Sequence, residues 1–293
     1  MTNIYLELTE QFNEGRLRCI VSSGQAVVLH QLAMMSKDGD WIVREDDEAM
    51  NHVLQVLAGY NARYRLGAPL DVRWMAGGWS AHFEFLHPQN GAKLRVRTDF
   101  VTRPPRLAAD DLASLWQEQE TRQWEFRSKL QTPAAVSSSP IHQTPVIDLR
   151  RLAELKKTNR ERDYAVIGDL ARRMDSPREQ LLFSRSARDL LDLSVQHSDL
   201  VASLVAHRPL LARIVEGRDA LEMALDAERR HWMRRNEDRL ANYIAHAQVW
   251  YAAWPAVERD IAGSDLRVAH NQVVRAAEKD LPMHVAPNAD DAG

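Results

Sequence analysis

The chain has 293 residues, and its 38 basic side chains against 41 acidic ones leave a formal net charge of -3. A 45% hydrophobic share suffices for ordinary buried cores, while the near balance of charge excludes a whole-surface positive field for nucleic acid. Cys19 stands alone as the single cysteine, which excludes an intramolecular disulfide and any multi-cysteine zinc or iron–sulfur site.

The opening MTNIYLELTEQFNEGR is acidic and polar, so no secretory leader is expected. No apolar run is long enough to cross a bilayer, and a soluble cytoplasmic protein without a membrane partner is the expectation. LRCIVSS (17–23) reads as a strand and GQAVVLHQLAMM (24–35) as a helix. DWIVR (40–44) returns to strand, followed by a helix over 46–60 with Asp46 and Asp47 at its amino end. Three further strands are expected, LDVRWM (70–75), SAHFEFL (80–86) and KLRVRTDFV (93–101), with turns at Gly77-Gly78 and Asn90-Gly91.

TPAAVSSSPIHQTP (132–145) holds three prolines and a serine run and reads as a linker. Beyond it the texture is helical. LRRLAELKK and DYAVIGDLARRM carry apolar residues at three- and four-residue spacing. SPREQLLFSRSARDLLDL begins with Ser176 as a cap and Pro177 at the first helical position. A long helical tract runs from about 217 towards 254, where Pro255 is expected to bend or end it. The expected layout is an α+β head over 1–131, with a mixed sheet and flanking helices, and an all-α domain over 146–285. A frayed tail over 286–293 closes the chain.

The stretch VSSGQAVVLHQLAMMSKDGDWIV carries the chemistry. Residues two apart on a strand share a face, so Asp38 and Asp40 can aim two carboxylates at one point. Two hard oxygen ligands suit Mg²⁺ together with substrate phosphates. The Ser23-Gly24 turn opens a helix, where free N–H groups attract a phosphate. A third acid would complete a two-metal site, and Asp99 is the choice, with Asp71 and Glu84 as rivals. Alternation puts Arg95, Arg97 and Asp99 on one face and Leu94, Val96 and Thr98 on the other.

This pattern of small-residue turn, helix, two acids one residue apart and a later strand acid resembles the polymerase-β-like nucleotidyltransferase superfamily. More narrowly, the chain resembles the AbiEii-type branch, which is associated with toxins and defence and adds a helical domain carrying a lysine, an arginine and an aspartate. Lys156, Arg160 and Asp163 match that set. The resemblance covers roughly residues 17 to 175. It implies Mg²⁺-dependent transfer of a nucleoside monophosphate from an NTP to an RNA or protein acceptor, with release of pyrophosphate. Asp38 and Asp40 would hold one Mg²⁺, and Asp99 with both would hold a second and help deprotonate the acceptor. Ser23 and Gly24 would face the nucleotide, Lys156 would neutralise triphosphate charge, and Arg160 and Asp163 would be a triphosphate contact with its partner or a surface ion pair.

Two residues depart from the family's pattern: Ser23 stands where glycine is usual, and Gly39 stands between the acids where an apolar residue is usual. They motivate an alternative, a non-catalytic module that binds nucleotide or a partner, such as an antitoxin or a second copy of the chain. Other residues have blander readings. His30 is expected to be packed, Asp148 to cap a helix, and Trp74, Trp79 and Trp116 to pack rather than flank an acceptor pocket. Trp41 should face away from the acids, and the five arginines of 226–240 should form ion pairs with interleaved acids along a solvent-facing helix.

Overall fold

A computed structural model of the chain describes residues 3–89, 92–121, 125–126 and 142–286. They group into two compact units, Met1–Ile147 with Tyr243–Ala286, and Asp148–Asn242. In the first unit, the acidic opening residues conceal an amphipathic helix, α1 (Ile4–Phe12), whose start is capped by the Asn3 side chain accepting from the Tyr5 N–H. It buries Leu6, Leu8 and Phe12. There follow β1 (Cys19–Ser22), α2 (Ser23–Leu29), β2 (Gly39–Val43), α3 (Asp47–Gly59) and β3 (Arg63–Tyr64). Then come α4 (Val72–Met75), β4 (Ala81–Gln89), β5 (Ala92–Val101), α5 (Ala109–Thr121), β6 (Glu125–Phe126) and β7 (His142–Gln143).

The head is α+β. Its five-stranded sheet has the order β1-β2-β5-β4-β3, and β6 pairs with β7 separately. The sheet is mixed: β2 runs parallel to β5, while β1–β2, β5–β4 and β4–β3 are antiparallel. Its core-facing side is aromatic. Trp41 stacks on Phe100 at 5.4 Å, and Phe12 of α1 meets both rings edge-on. The Trp41 indole also donates to Thr9 Oγ1 at 2.9 Å, so Trp41 does face away from the acid side. On β5, Val96, Thr98 and Phe100 are buried while Arg95 and Arg97 are exposed, as the alternation requires.

Several local expectations are corrected. LDVRWM is not a strand: Asp71 accepts from the Arg73 N–H and starts the short helix α4, which buries Trp74. The helix after β1 stops at Leu29 rather than near 35. Gln31 takes a left-handed φ of 62°, its N–H bonds the Val28 carbonyl, and the Leu32 N–H bonds that of Val27. That is a Schellman ending made without glycine, which no composition signal announces. Of the expected linker, residues 132–141 lie outside the described residues, as does the Asn90-Gly91 turn. Beyond them Val146 bridges Val21 of β1, so the chain is already part of the head there. His30 is packed as expected, with Nε2 donating to the Ile147 carbonyl at 2.7 Å.

The second unit contains α6 (Leu149–Leu155), α7 (Glu161–Ala171), α8 (Pro177–Phe183), α9 (Ala187–Gln196) and α10 (Ser198–Leu204). A 3-10 helix over Pro209–Glu216 and α11 (Arg218–His246) complete it, the last turn of α11 belonging to the first unit. Asp148 caps α6 as expected. The helix expected from 176 onward is two helices, because Ser186 caps a new one by accepting from the Asp189 N–H. Leu181, Leu190, Leu204, Leu211, Leu221 and Leu225 make this unit's core.

The long tract breaks at Ala247, not at Pro255, which sits inside α12 (Gln248–Asp260) and is followed by α13 (Leu266–Asp280). These last helices fold with the head rather than with the helical unit to which their texture assigns them. The Trp250 indole donates to the Gly67 carbonyl, that of Trp74 to Leu281 and that of Trp79 to Pro282. Tyr64 OH meets His270 Nδ1 at 2.7 Å.

Candidate active site

Asp38 lies immediately before β2, Asp40 is its second residue, and Asp99 is the register partner of Asp40 across the parallel β2–β5 pair. Neighbouring strands place such partners side by side on one face. The field of the three acids meets at one group: burial first, then Asp38, Asp40 and Asp99, push the Tyr5 phenol up to about 12. Tyr5 OH donates to the Lys37 carbonyl at 2.8 Å and so fixes the turn before Asp38. The other side of that turn is held by Ser36 Oγ and Gln25 Nε2, which donate to the Asp38 carbonyl.

Gly39 has a steric cause. A Cβ there would lie within 2.6 Å of atoms in the Tyr5 and Trp41 rings, so the slot that an apolar side chain would occupy is already filled. Ser23 keeps the left-handed backbone that glycine favours, with φ of 50°. A serine in that conformation costs roughly 1–2 kcal/mol.

The carboxylates differ in their surroundings. Asp38 Oδ1 is buried without a hydrogen-bond partner among the described residues, and the nearest cation is Arg97 Nη1 at 4.0 Å. Asp99 Oδ1 is engaged twice, by His82 Nδ1 at 2.8 Å and by Arg65 Nη2 at 3.4 Å. His82 Nε2 in turn meets Ser80 Oγ at 2.8 Å. Among the described residues no group of three or more His, Cys, Asp or Glu side chains has metal-holding geometry. An orphaned carboxylate oxygen beside a second carboxylate nevertheless fits Mg²⁺, which takes one or two protein carboxylates and completes its shell with phosphate oxygens and water.

The rival acids are accounted for locally. Asp71 caps α4 and pairs with Arg73, while Glu84 is buried against Arg63 at 2.5 Å. Trp74 is fully buried, and Trp116 carries the Arg44 guanidinium 4.6 Å above its ring.

In the second unit, Lys156 ends α6 and Asp163 is buried in the first turn of α7. Lys156 Nζ lies 3.9 Å from Asp163 Oδ1, and Thr158 Oγ1 donates to Asp163 Oδ2 at 2.6 Å. Arg160 occupies the N-cap position of α7 with its side chain exposed. Asp163 is therefore the partner of Lys156 and Thr158 rather than of Arg160.

Ser80, His82 and Arg65 are site residues that the sequence reading missed. A signal for His82 was present: an Asn-Gly dipeptide favours a two-residue turn, which would pair residue 89 with 92, and counting back along both strands then sets His82 opposite Asp99, as observed.

No protein-family model matches the sequence, and no curated relative matches it. Two solved structures are similar, a "putative nucleotidyltransferase from H. pylori" and JHP933 from Helicobacter pylori. Each is 12% identical with a TM-score of 0.34. The first likeness covers 80% of this chain, the second 82%, and each covers 94% of the other chain. A likeness at that level assigns neither a residue nor an activity.

Proposed function

We propose that the head transfers a nucleoside monophosphate from an NTP to a hydroxyl on an RNA or protein acceptor, releasing pyrophosphate. The observation that carries this reading is the pairing of Asp40 with Asp99 on neighbouring strands, with Asp38 just before β2 and its Oδ1 buried and unpartnered among the described residues. Asp38 and Asp40 would hold Mg²⁺, with Asp99 adding the oxygen that His82 and Arg65 leave to it. The ion would supply charge neutralisation and orientation of the phosphates. Arg97 and Arg65, already beside the acids, would offset triphosphate charge, and the resemblance would set Ser23-Gly24 against the nucleotide. Asp99 would help deprotonate the acceptor hydroxyl through the His82 imidazole that it holds by hydrogen bond.

The test is calorimetric titration with each NTP, with and without Mg²⁺, beside the Asp38→Ala/Asp40→Ala double variant. Binding that requires both Mg²⁺ and the aspartates is expected, and absence of binding by folded protein overturns the reading. The engagement of Asp99 by two neighbours favours a second reading, a head that binds NTP–Mg²⁺ without turnover. Saturable binding with no labelled product on RNA or protein would select it. Membership of the AbiEii-type branch, with an antitoxin as partner, belongs to the same proposal and is tested by co-purification of the protein encoded beside it.

A further inference from the structure

Ser80, His82 and Asp99 form a continuous hydrogen-bonded chain. Ser80 Oγ lies 2.8 Å from His82 Nε2, and His82 Nδ1 lies 2.8 Å from Asp99 Oδ1. With its Nδ1–H donated to the Asp99 carboxylate, the His82 ring presents Nε2 to the serine hydroxyl. This is the order of groups that activates a serine: nucleophile, base, and a carboxylate that orients the base.

The strands supply the placement. Ser80 just precedes β4 and His82 is its second residue, while Asp99 sits opposite His82 on β5, beside Asp40 on β2. The imidazole is also wedged in position. A Cβ on Gly67 would lie 2.5 Å from His82 Cδ2, so only glycine lets the loop close over the ring. Arg65 shares the Asp99 oxygen with His82, and its Nη1 is buried with no hydrogen-bond partner among the described residues. A buried donor left unsatisfied costs stability, and an anionic oxygen reaching that atom would relieve it.

We propose that Ser80 is itself a nucleotidyl acceptor: the chain modifies its own Ser80 with the nucleoside monophosphate of a bound NTP. The inference rests on the nucleotidyl-transfer reading and names its protein acceptor. Ser80 Oγ attacks the α-phosphorus, and the new Oγ–P bond forms as the α–β P–O bond breaks. Its electron pair leaves with pyrophosphate, and the Oγ proton passes to His82 Nε2, whose imidazolium Asp99 stabilises. The product is a phosphodiester on Ser80.

The experiment incubates the full chain with each α-³²P-labelled NTP and Mg²⁺, then reads label per chain, intact mass and the modified peptide. Up to one nucleotide per chain, mapped to Ser80, is expected. Ser80→Ala should cut the label at least about 100-fold, and His82→Ala by about 10²–10⁴-fold, the span of a lost general base. Because His82→Ala also opens space beside Gly67, His82→Gln serves as the better-filled variant and should lose label equally. Wild-type protein that binds NTP and Mg²⁺ through Asp38 and Asp40, yet stays unlabelled at Ser80, overturns this inference and leaves the functional reading standing. Label on another residue that survives Ser80→Ala does the same. Absence of NTP binding overturns both.

Discussion

Two charge clusters, one in each unit, differ in how fully protein groups answer them. In the helical unit, Glu228 of α11 accepts from Arg208 at 2.8 Å and pairs with Arg185, while Arg208 also donates to the Leu181 and Ser184 carbonyls. Burial alone would raise the Glu228 carboxyl, but Arg208 and Arg185 outweigh it and hold the group below the usual carboxylate range. Each charge in that set is answered by protein. In the head, Asp38 Oδ1 and Arg65 Nη1 are buried without hydrogen-bond partners among the described residues, a few residues from groups that are fully engaged. A closed set of charges ties helices together; a set with open atoms is what ligand binding requires, because leaving such atoms unsatisfied costs stability that folding alone would not retain.

That contrast is broken or sharpened by a graded series of changes. The largest effect is expected from removing residues 243–286. It strips the carbonyl partners of Trp74 and Trp79 and the His270 partner of Tyr64, and exposes the surfaces they pack on. The loss should rival the head's whole stability of about 5–15 kcal/mol, so circular dichroism should show no cooperative transition for the head. A head that melts normally without them would return α12 and α13 to the helical unit.

Glu228→Ala leaves Arg185 and Arg208 with an uncompensated buried charge and should cost about 3–5 kcal/mol. Hydrogen exchange should quicken in peptides from 148–242 and not in those of the sheet. The same group predicts an acid limit. Its folded pKa is lowered, so its contribution is complete above the unfolded carboxylate value of about 4.3 and is lost as pH falls through the folded value. Asp40→Ala should do the reverse of Glu228→Ala. The proposed nucleotide transfer should fall about 10²–10³-fold, while the unfolding free energy from urea titration should change by less than about 0.5 kcal/mol.

Tyr64→Phe should cost about 1–3 kcal/mol, since the Leu70 N–H and His270 both lose their partner. Denaturant titration checks it, and no loss would mean that this contact does not fasten α13 to the head. The smallest effect is expected at Ser23→Gly. Relief of the left-handed φ is nearly balanced by the entropy of a new glycine, giving a gain under about 1 kcal/mol in thermal unfolding.

The candidate acids were readable because their geometry is local. Asp38 and Asp40 are two residues apart around a strand start, where strand alternation predicts a common face. The pairing of Asp40 with Asp99 was less accessible, for it depends on β5 lying parallel to β2 after intervening elements that no local pattern orders. The reason for Gly39 was not legible, because it lies in the Tyr5 and Trp41 rings that occupy its side-chain slot. Arg65 carried no signal, because its role comes from where β3 ends against the sheet.

What the sequence determined by itself is what short-range chemistry controls: the alternating faces of β4 and β5, the Asp46 and Asp148 caps, and the helical periods beyond 148. The tertiary structure decided the rest. It turned LDVRWM into a helix through the Asp71 cap and the burial of Trp74, ended α2 at Gln31 and brought α12 and α13 back to the head. It also set His82 between Ser80 and Asp99. Those outcomes turn on hydrogen bonds and ring contacts between residues as far apart as Tyr64 and His270, and their free energy appears only when both ends meet in the folded chain.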